Sequence, residues 1–498
     1  MGQDPASQTY KPWDPSEAPR LRLASTQDVP TNNTHPTQTL RYEPPEVTEM
    51  LNRISEDNKQ TSQHLRSIAI DHAREKLGEH SDFLILHEIG KGGVGIVSAA
   101  EQVSLGRSVA IKQLRDDRDS NSSRVQLIAE AKVQARLVHP VIPPVHLIGE
   151  NEEGKPVLVM QLVSGECWSD LLSKDGRDLD SGSEATLLGH LEILIRIGEA
   201  IAYAHEQGVI HRDIKPGNVM VGRYGEVYLV DWGLAEELDS SGKLSPRGFT
   251  GTPAYAAPEM IQRDGYLTNK TDLYLLGSTL CEILTGEPPH KGNSIKEVFL
   301  NINKGLNLSF PSWVPTELAK ICRRMLDPEP SLRYPTANEV LQTLREYIER
   351  HQSLGMLDRV RDHVIRLDQM VHDGESPDRI EDLGQTCRAM LEALRVNLPE
   401  MEEISILHNR CTILMVNRMI EANNPGAARI MLESLPYGPE SDQLREKVAN
   451  LTARLLAKPS HMATNVQLML TEQLVAAKER IAELEKQLDS DKRPDGDE

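Results

Sequence analysis

A change of sequence texture at Phe83 constrains the fold more than any other feature. The runs FLILHEIG, GIVSAAEQV and SVAIKQL are short, β-rich and broken by glycine, which is typical of a twisted antiparallel sheet. A helical stretch, SSRVQLIAEAKVQARL, and two more strand-like runs follow. After Gly165 the pattern is mainly helical as far as Arg350. The sequence therefore predicts an α+β fold with a β-rich lobe at residues 81–162, a helical lobe at 163–350 and a cleft between them.

Two of the predicted strands are joined by a glycine-rich hairpin, whose residues are Gly90, Lys91, Gly92, Gly93, Val94, Gly95, Ile96 and Val97. Such glycines are often turn formers only, and the strand-to-helix context of a dinucleotide site is absent. A hairpin of glycines can also lie close over phosphates and offer them backbone N–H groups. Lys112 follows about 17 residues later on an apolar strand, a spacing that suits a cation gripping polyphosphate. Glu130, in the middle of the next helix, can fix the position of Lys112.

A second set of residues with chemical potential lies in VIHRDIKPGNVMVG and after it. Asp213 can accept the proton of an attacking hydroxyl, and Asn218, five residues later, can hold a divalent cation. Lys215 can offset charge on a transferred phosphate, and Asp231 offers a second metal ligand. Each residue alone is explained better as a surface charge or a strand end than as a functional group. Their joint order and spacing favour a phosphotransferase site.

Together these residues resemble the signature set of the eukaryotic-type protein kinases, most nearly the bacterial serine/threonine branch. The resemblance covers about residues 83–348. It implies a bilobal protein-kinase fold, ATP with Mg²⁺ or alternatively Mn²⁺ as cofactors, and protein hydroxyls as acceptors. It assigns Asp213 as the catalytic base, Lys112 as a phosphate contact paired with Glu130, and Asn218 and Asp231 as metal ligands. The residues that it places around ATP, besides Lys112 and the hairpin with its Val97, are Ala110, Met160, Gln161, Val163 and Met220.

The resemblance also implies an acceptor site for serine or threonine and an ion pair that holds the segment beside it. Lys215 within D-x-K-P-x-N indicates Ser or Thr rather than Tyr, and Thr252 is expected to face Asp213 and Lys215 in the acceptor pocket. Glu259, in Ala-Pro-Glu, closes the activation segment. It is expected to form an ion pair with Arg333.

Two further residues are assigned to support of the catalytic loop. Asp272 is expected to brace it. Arg212 precedes the base, a pattern found in kinases with a phosphorylated activation segment. We expect autophosphorylation at Thr250 or Ser245 to order this segment through Arg212.

Trp232 departs from the family pattern, which has phenylalanine between the metal-binding aspartate and the glycine. A buried indole N–H needs a partner, and so does a buried glutamine. Gln134 lies one helical turn after Glu130, so we expect Trp232 and Gln134 to hydrogen bond to each other. The alternative is that Gln134 faces solvent and the indole meets a backbone carbonyl or water.

The flanks differ in composition from the two lobes. Residues 1–45, rich in Pro, Thr, Asn and Gln, are predicted to be disordered. Apolar residues at helical spacing, among them Leu65 and Ile68, predict one or two leading helices in residues 46–80. Residues 351–458 are helical in pattern, and ANNPGAARIMLESLP resembles one helix of a helical-hairpin repeat, without a convincing second copy.

The C-terminal segment carries a heptad pattern. Residues 459–489 place Leu474, Ile481 and Leu488 at one heptad position, which predicts a short coiled coil and a parallel homodimer. Residues 490–498 are predicted to be a disordered tail. Two alternatives to an active kinase remain: a pseudokinase scaffold that acts through these helices, and an assembly module that the kinase regulates.

Composition excludes several other classes of function. The net charge of −20 argues against nucleic acid and an anionic membrane surface as partners. No apolar run approaches the roughly 18 residues of a membrane span, and the first residues lack a signal-peptide pattern. The five widely spaced cysteines, without C-x-x-C, predict reduced thiols and a cytoplasmic protein.

Overall fold

The computed structural model describes residues 40–41, 65–71, 82–92, 95–180, 183–245, 248–262, 265–457 and 480. The chain divides into two units after Ile348, two residues before the predicted end of the helical lobe. The predicted coiled coil at 459–489 and the tail at 490–498 lie outside the described residues, apart from Arg480. Among the described helices, none is long and apolar enough to cross a membrane.

A seven-stranded sheet begins the first unit. Its strands are β2 (Arg66–Ser67), β3 (Ile70–Asp71), β4 (Phe83–Lys91), β5 (Gly95–Gln102), β6 (Arg107–Leu114), β7 (Val145–Glu150) and β8 (Pro156–Gln161). Their spatial order is β2-β7-β8-β6-β5-β4-β3, with the central five antiparallel and the outermost strands parallel to their neighbours. Alternation along β6 buries Val109 and Ile111 on one face. The other face carries Leu114 against helix α1 (Asn121–Arg136).

The prediction of leading helices is wrong for residues 65–71, which are extended. Ile68 is fully buried in the core of the sheet, and its N–H donates to the Glu150 carbonyl at 2.8 Å. The carbonyl of Ala69 accepts from the N–H groups of Asp82 and Phe83. This segment satisfies backbone groups at both edges of the sheet, which outweighs a helical spacing of apolar residues. The rest of 46–80 lies outside the described residues.

The predicted disorder of residues 1–45 is contradicted at two positions. Strand β1 (Leu40–Arg41) pairs antiparallel with β14 (Thr250–Gly251). The remaining residues of that range lie outside the part of the chain that the structure describes.

The rest of the first unit is mainly helical. Its helices are α2 (Trp168–Asp180), α3 (Glu184–Glu206), α4 (Asn269–Thr285), α5 (Ile295–Lys304), α6 (Thr316–Met325) and the start of α7 (Ala337–His372). The segments between these helices contain short strands: β9 (Glu166–Cys167), β10 (Val209–Ile210), β11 (Val219–Val221), β12 (Val227–Leu229) and β13 (Glu236–Glu237). β12, β11 and β9 form one small sheet, and β10 pairs with β13. Helices α3 and α4 contribute many residues to one large apolar core. Residues of β10, β11 and β12 pack in the same core, which fixes the position of the loops between these strands.

The second unit is helical in its described residues. Besides the remainder of α7, it contains α8 (Pro377–Asn397), α9 (Glu402–Glu421), α10 (Pro425–Leu432) and α11 (Pro439–Ala457). Its own core includes Leu367, Leu391 and Met415. Asn424 caps α10 by accepting from the Ala427 N–H at 3.1 Å. All five cysteines of the chain are free thiols.

Candidate active site

A buried aspartate holds the loop after β10 in a strained conformation. Asp272, in the first turn of α4, accepts hydrogen bonds from the N–H groups of His211 (2.8 Å) and Arg212 (2.9 Å) and is bonded to His205 Nε2 (2.9 Å). Burial alone raises the pKa of Asp272, but these bonds hold it below its usual value. Arg212 has a φ of 69°, in the left-handed region. Asp272 therefore contacts the loop as expected and fixes the strained backbone just before Asp213.

Four predicted residues meet at the Asp213 carboxylate. Thr252 Oγ1 lies 2.6 Å from Asp213 Oδ1 and accepts a bond from Lys215 Nζ, also at 2.6 Å. Lys215 Nζ lies 3.1 Å from Asp213 Oδ2, and Asn218 Nδ2 donates to the same oxygen at 2.8 Å. Both carboxylate oxygens are thus oriented by neighbours. The arrangement places a proton acceptor, a cation and a hydroxyl within hydrogen-bonding distance of one another.

A lysine and two carboxylates form a second cluster between β6 and β12. Lys112 Nζ lies 2.6 Å from Glu130 Oε1 and 3.3 Å from Asp231 Oδ1. Burial by itself lowers the pKa of Lys112, but the two carboxylates raise it above its usual value, so the ammonium is charged. The charge of Lys112 in turn lowers the pKa of Asp231. Asp231 has a φ of 63°, a second strained position beside the first.

The glycine-rich hairpin connects β4 and β5 by a tight turn. Gly92 N–H donates to the Gly95 carbonyl at 2.9 Å. A Cβ on Gly95 would lie 2.8 Å from the Gln113 carbonyl oxygen of β6, so only glycine fits this close approach of two strands. Gly93 and Val94 lie outside the described residues, while Gly90 and Lys91 end β4.

Most residues predicted around the nucleotide lie on β5, β6 and β8, next to Lys112, while Met220 lies on β11 and Val163 follows β8. Ala110 pairs with Met160 across β6 and β8, and Val97 pairs with Lys112 across β5 and β6. The others are partly exposed, and they are Ile96, Gln161, Val163 and Met220.

The predicted hydrogen bond between Trp232 and Gln134 is wrong. The indole Nε1 of Trp232 donates to the Leu229 carbonyl at 3.0 Å, and Gln134 Nε2 donates to the Pro143 carbonyl at 2.7 Å. Both side chains are buried, so Gln134 does not face solvent either. Trp232 stacks edge-on against His211, with ring centroids 4.6 Å apart. The last residue of β12, three positions before Trp232, supplies the carbonyl that satisfies the indole, and therefore no long-range partner is needed.

Two contacts at this corner were missed by sequence reasoning. Gln126, one turn before Glu130 on α1, donates from Nε2 to the Gly233 carbonyl at 3.1 Å. Arg212 Nη2 donates to Glu236 Oε1 at 2.7 Å. Helical spacing from Glu130 would have found Gln126, since residues four apart share a face. The sequence contains no comparable signal for Glu236.

Glu259, at the end of the predicted activation segment, forms a buried ion pair. Arg333 Nη1 and Nη2 donate to the two carboxylate oxygens of Glu259 at 2.7 and 2.8 Å. This is the pair that the sequence predicts. Of the two predicted phosphorylation positions, Ser245 is exposed and Thr250 is partly buried in β14.

Replacing Trp232 with phenylalanine is expected to lower the stability of the protein more than its catalytic rate. The variant removes the N–H that satisfies the buried Leu229 carbonyl, so we expect the free energy of unfolding to fall by about 1–3 kcal/mol. Phosphoryl transfer should fall less than about tenfold, because Lys112 still contacts Asp231. Denaturant unfolding and an initial-rate assay measure the two effects. A loss of activity as large as that of an Asp213 variant would show that the indole itself is required.

The chain is similar to known proteins over much of its first unit. Residues 83–344, just over half of the chain, match the model of the protein kinase domain family. The serine/threonine-protein kinase PknD of Protochlamydia amoebophila (strain UWE25) is 31% identical over 298 residues, which cover 54% of this chain and 30% of that protein. PknD of Chlamydia pneumoniae is 31% identical over 295 residues, covering 54% of this chain and 31% of that protein. The similarity thus spans about three tenths of the length of these relatives. With the match over residues 83–344, the chain belongs to the protein kinase domain family.

Proposed function

We propose that this chain is a serine/threonine protein kinase that transfers the γ-phosphate of Mg-ATP to protein hydroxyls. One observation carries the proposal: Asp213, Lys215 and the Thr252 hydroxyl form a closed set of contacts of 2.6 to 3.1 Å. A hydroxyl at this place is next to a carboxylate that can take its proton and an ammonium that can offset phosphate charge. All the assigned catalytic side chains are chemically competent, which favours an enzyme over a pseudokinase scaffold.

Protein kinases generally use ATP and Mg²⁺, and the donor set here fits that cation. Mg²⁺ prefers oxygen ligands and is commonly held by one or two protein groups together with substrate phosphates. Asn218 uses its Nδ2 for the Asp213 backbone carbonyl and carboxylate, which leaves the amide oxygen outside both bonds. Asp231 is a carboxylate whose side chain is 48% exposed. These two residues would hold Mg²⁺, which neutralises phosphate charge when bound.

The remaining side chains divide the work of binding and proton transfer. Lys112, held by Glu130, would bind the α- and β-phosphates, and the glycine-rich hairpin would offer them backbone N–H groups. Lys215 stabilises charge on the transferred group. Asp213 Oδ1 receives the proton of the acceptor hydroxyl, while Asn218 and Lys215 hold Oδ2 in place.

Autophosphorylation of the activation segment belongs to the same proposal, with Ser245 or Thr250 as acceptor. Exposure favours Ser245. A phosphate near Arg212 has to compete with the Glu236 carboxylate, which already accepts from the guanidinium. Phosphate that orders the segment through Arg212 therefore shares the guanidinium with Glu236 or displaces it.

The location and assembly of the chain are also proposals. The five free thiols support a cytoplasmic location. The heptad spacing in residues 459–489 supports a parallel homodimer, in which each kinase domain phosphorylates its partner.

Phosphate transfer to a generic basic protein such as histone tests the proposed function. With Mg-ATP, we expect phosphoserine and phosphothreonine after acid hydrolysis of the product, and no transfer after excess chelator removes the cation. Restoring Mg²⁺ should restore the rate. Phosphotyrosine as the only product, or transfer unaffected by the chelator, would contradict the proposal.

A further inference from the structure

The N-terminal part of the chain contacts the activation segment through main-chain strand pairing. Leu40 lies opposite Gly251 and Arg41 opposite Thr250, in antiparallel register. Extended peptides bind sheet edges in this way, with backbone hydrogen bonds supplying the affinity. The activation segment thus presents a strand edge, and a segment of the same chain occupies it.

This strand edge lies directly beside the proposed catalytic base. Gly251 precedes Thr252, whose hydroxyl contacts Asp213 Oδ1 at 2.6 Å. Gly251 has a φ of 132°, and a Cβ there would lie 3.1 Å from the Arg212 carbonyl oxygen. Only glycine allows the strand to approach the catalytic loop so closely. A peptide paired with residues 250–251 therefore lies within one or two residues of the place where an acceptor hydroxyl must arrive.

We propose that Leu40–Arg41 occupies the protein-substrate path of its own kinase domain and competes with protein substrates. The inference rests on the proposed function, since competition requires a protein-phosphorylating site. A two-residue pairing is weak between separate molecules. Here the segment and the strand it pairs with belong to one chain, which gives the segment a high effective concentration at this edge. The competition is therefore intramolecular and independent of protein concentration.

A proline at position 40 tests the proposal without touching the catalytic residues. Leu40→Pro removes a backbone N–H and disfavours strand pairing. We expect the KM for histone to fall about three- to tenfold, because histone no longer has to displace Leu40–Arg41 before it binds. The kcat and the KM for ATP should not change. Leu40→Ala, which keeps the backbone N–H, is the matched control and should behave as wild type. Equal KM values for histone in wild type and Leu40→Pro would overturn the proposal.

Hydrogen exchange reports on the pairing independently of activity. In full-length chains carrying Asp213→Asn, the backbone amides of residues 250–251 should exchange faster when Leu40→Pro is added. Unchanged exchange would overturn the proposal even if the chain phosphorylates histone normally. Absence of histone phosphorylation by both wild type and Leu40→Pro would instead contradict the proposed function, and the competition would fall with it.

Discussion

Replacing Asp213 with asparagine is expected to lower the rate of phosphate transfer by about 10²- to 10⁴-fold, the usual contribution of a positioned proton acceptor. Asparagine is nearly the same size, but it cannot take a proton from the acceptor hydroxyl. It also places an N–H donor among the donors that now surround the carboxylate, Lys215 and Asn218. Initial rates with saturating Mg-ATP and histone measure the loss.

A matched control separates the loss of the base from the loss of one negative charge. Asp170→Asn makes the same change at an exposed position in the first turn of α2, and its activity should stay within about twofold of wild type. Both variants should show cooperative unfolding. If Asp213→Asn keeps more than a tenth of the wild-type rate, Asp213 is not the proton acceptor and the role assigned to its cluster is wrong.

Replacing Arg333 with methionine is expected to lower the free energy of unfolding by about 3–5 kcal/mol, the typical cost of removing one partner of a buried ion pair. The Arg333 side chain is fully buried. It binds both oxygens of Glu259 and also donates to the carbonyls of Asp327 and Lys270. The variant leaves the Glu259 carboxylate buried without its cation. Denaturant titration of wild type and variant measures the difference.

A double-mutant cycle and an exposed pair give this prediction its controls. Adding Glu259→Met should recover part of the loss, because no unpaired charge then stays buried. Arg345→Met breaks an exposed pair with Glu199 and should cost only about 0.2–1 kcal/mol. If the free energy of unfolding falls equally in the Arg333 and Arg345 variants, the buried pair contributes no more to stability than the exposed pair.

The Trp232 corner shows how far local spacing can predict a contact. Gln126 and Gln134 lie four residues before and after Glu130, so helical geometry places both on its face. The prediction names Gln134, but the contact from α1 to the corner beside Asp231 comes from Gln126, through the Gly233 carbonyl. The choice depended on the loop after α1, which brings the Pro143 carbonyl to Gln134. The spacing of residues along α1 contains no information about where the loop after this helix places the Pro143 carbonyl.

The edge segments show a second limit. Apolar residues in 65–71 fit a helical period, yet Ile68 is buried by strand pairing with a neighbour about 80 positions away. A short apolar run is compatible with both the helical and the strand period. Which structure forms depends on whether a sheet edge is free to accept hydrogen bonds from the segment. The pairing of Leu40–Arg41 with Thr250–Gly251 was equally invisible, since two residues carry no periodic signal.

By itself the sequence determined the two-lobed fold class and the chemical groups of the site. Asp213, Lys215 and Asn218 share one short loop, and over so few residues spacing implies proximity. Only the tertiary structure decided which distant groups complete the site: the Lys112 contact to Asp231, the Gln126 bond to Gly233 and the Glu236 carboxylate on Arg212. Such partners are selected by the packing of α1 and the activation segment against the catalytic loop, because hydrogen bonds need placement within a few tenths of an ångström.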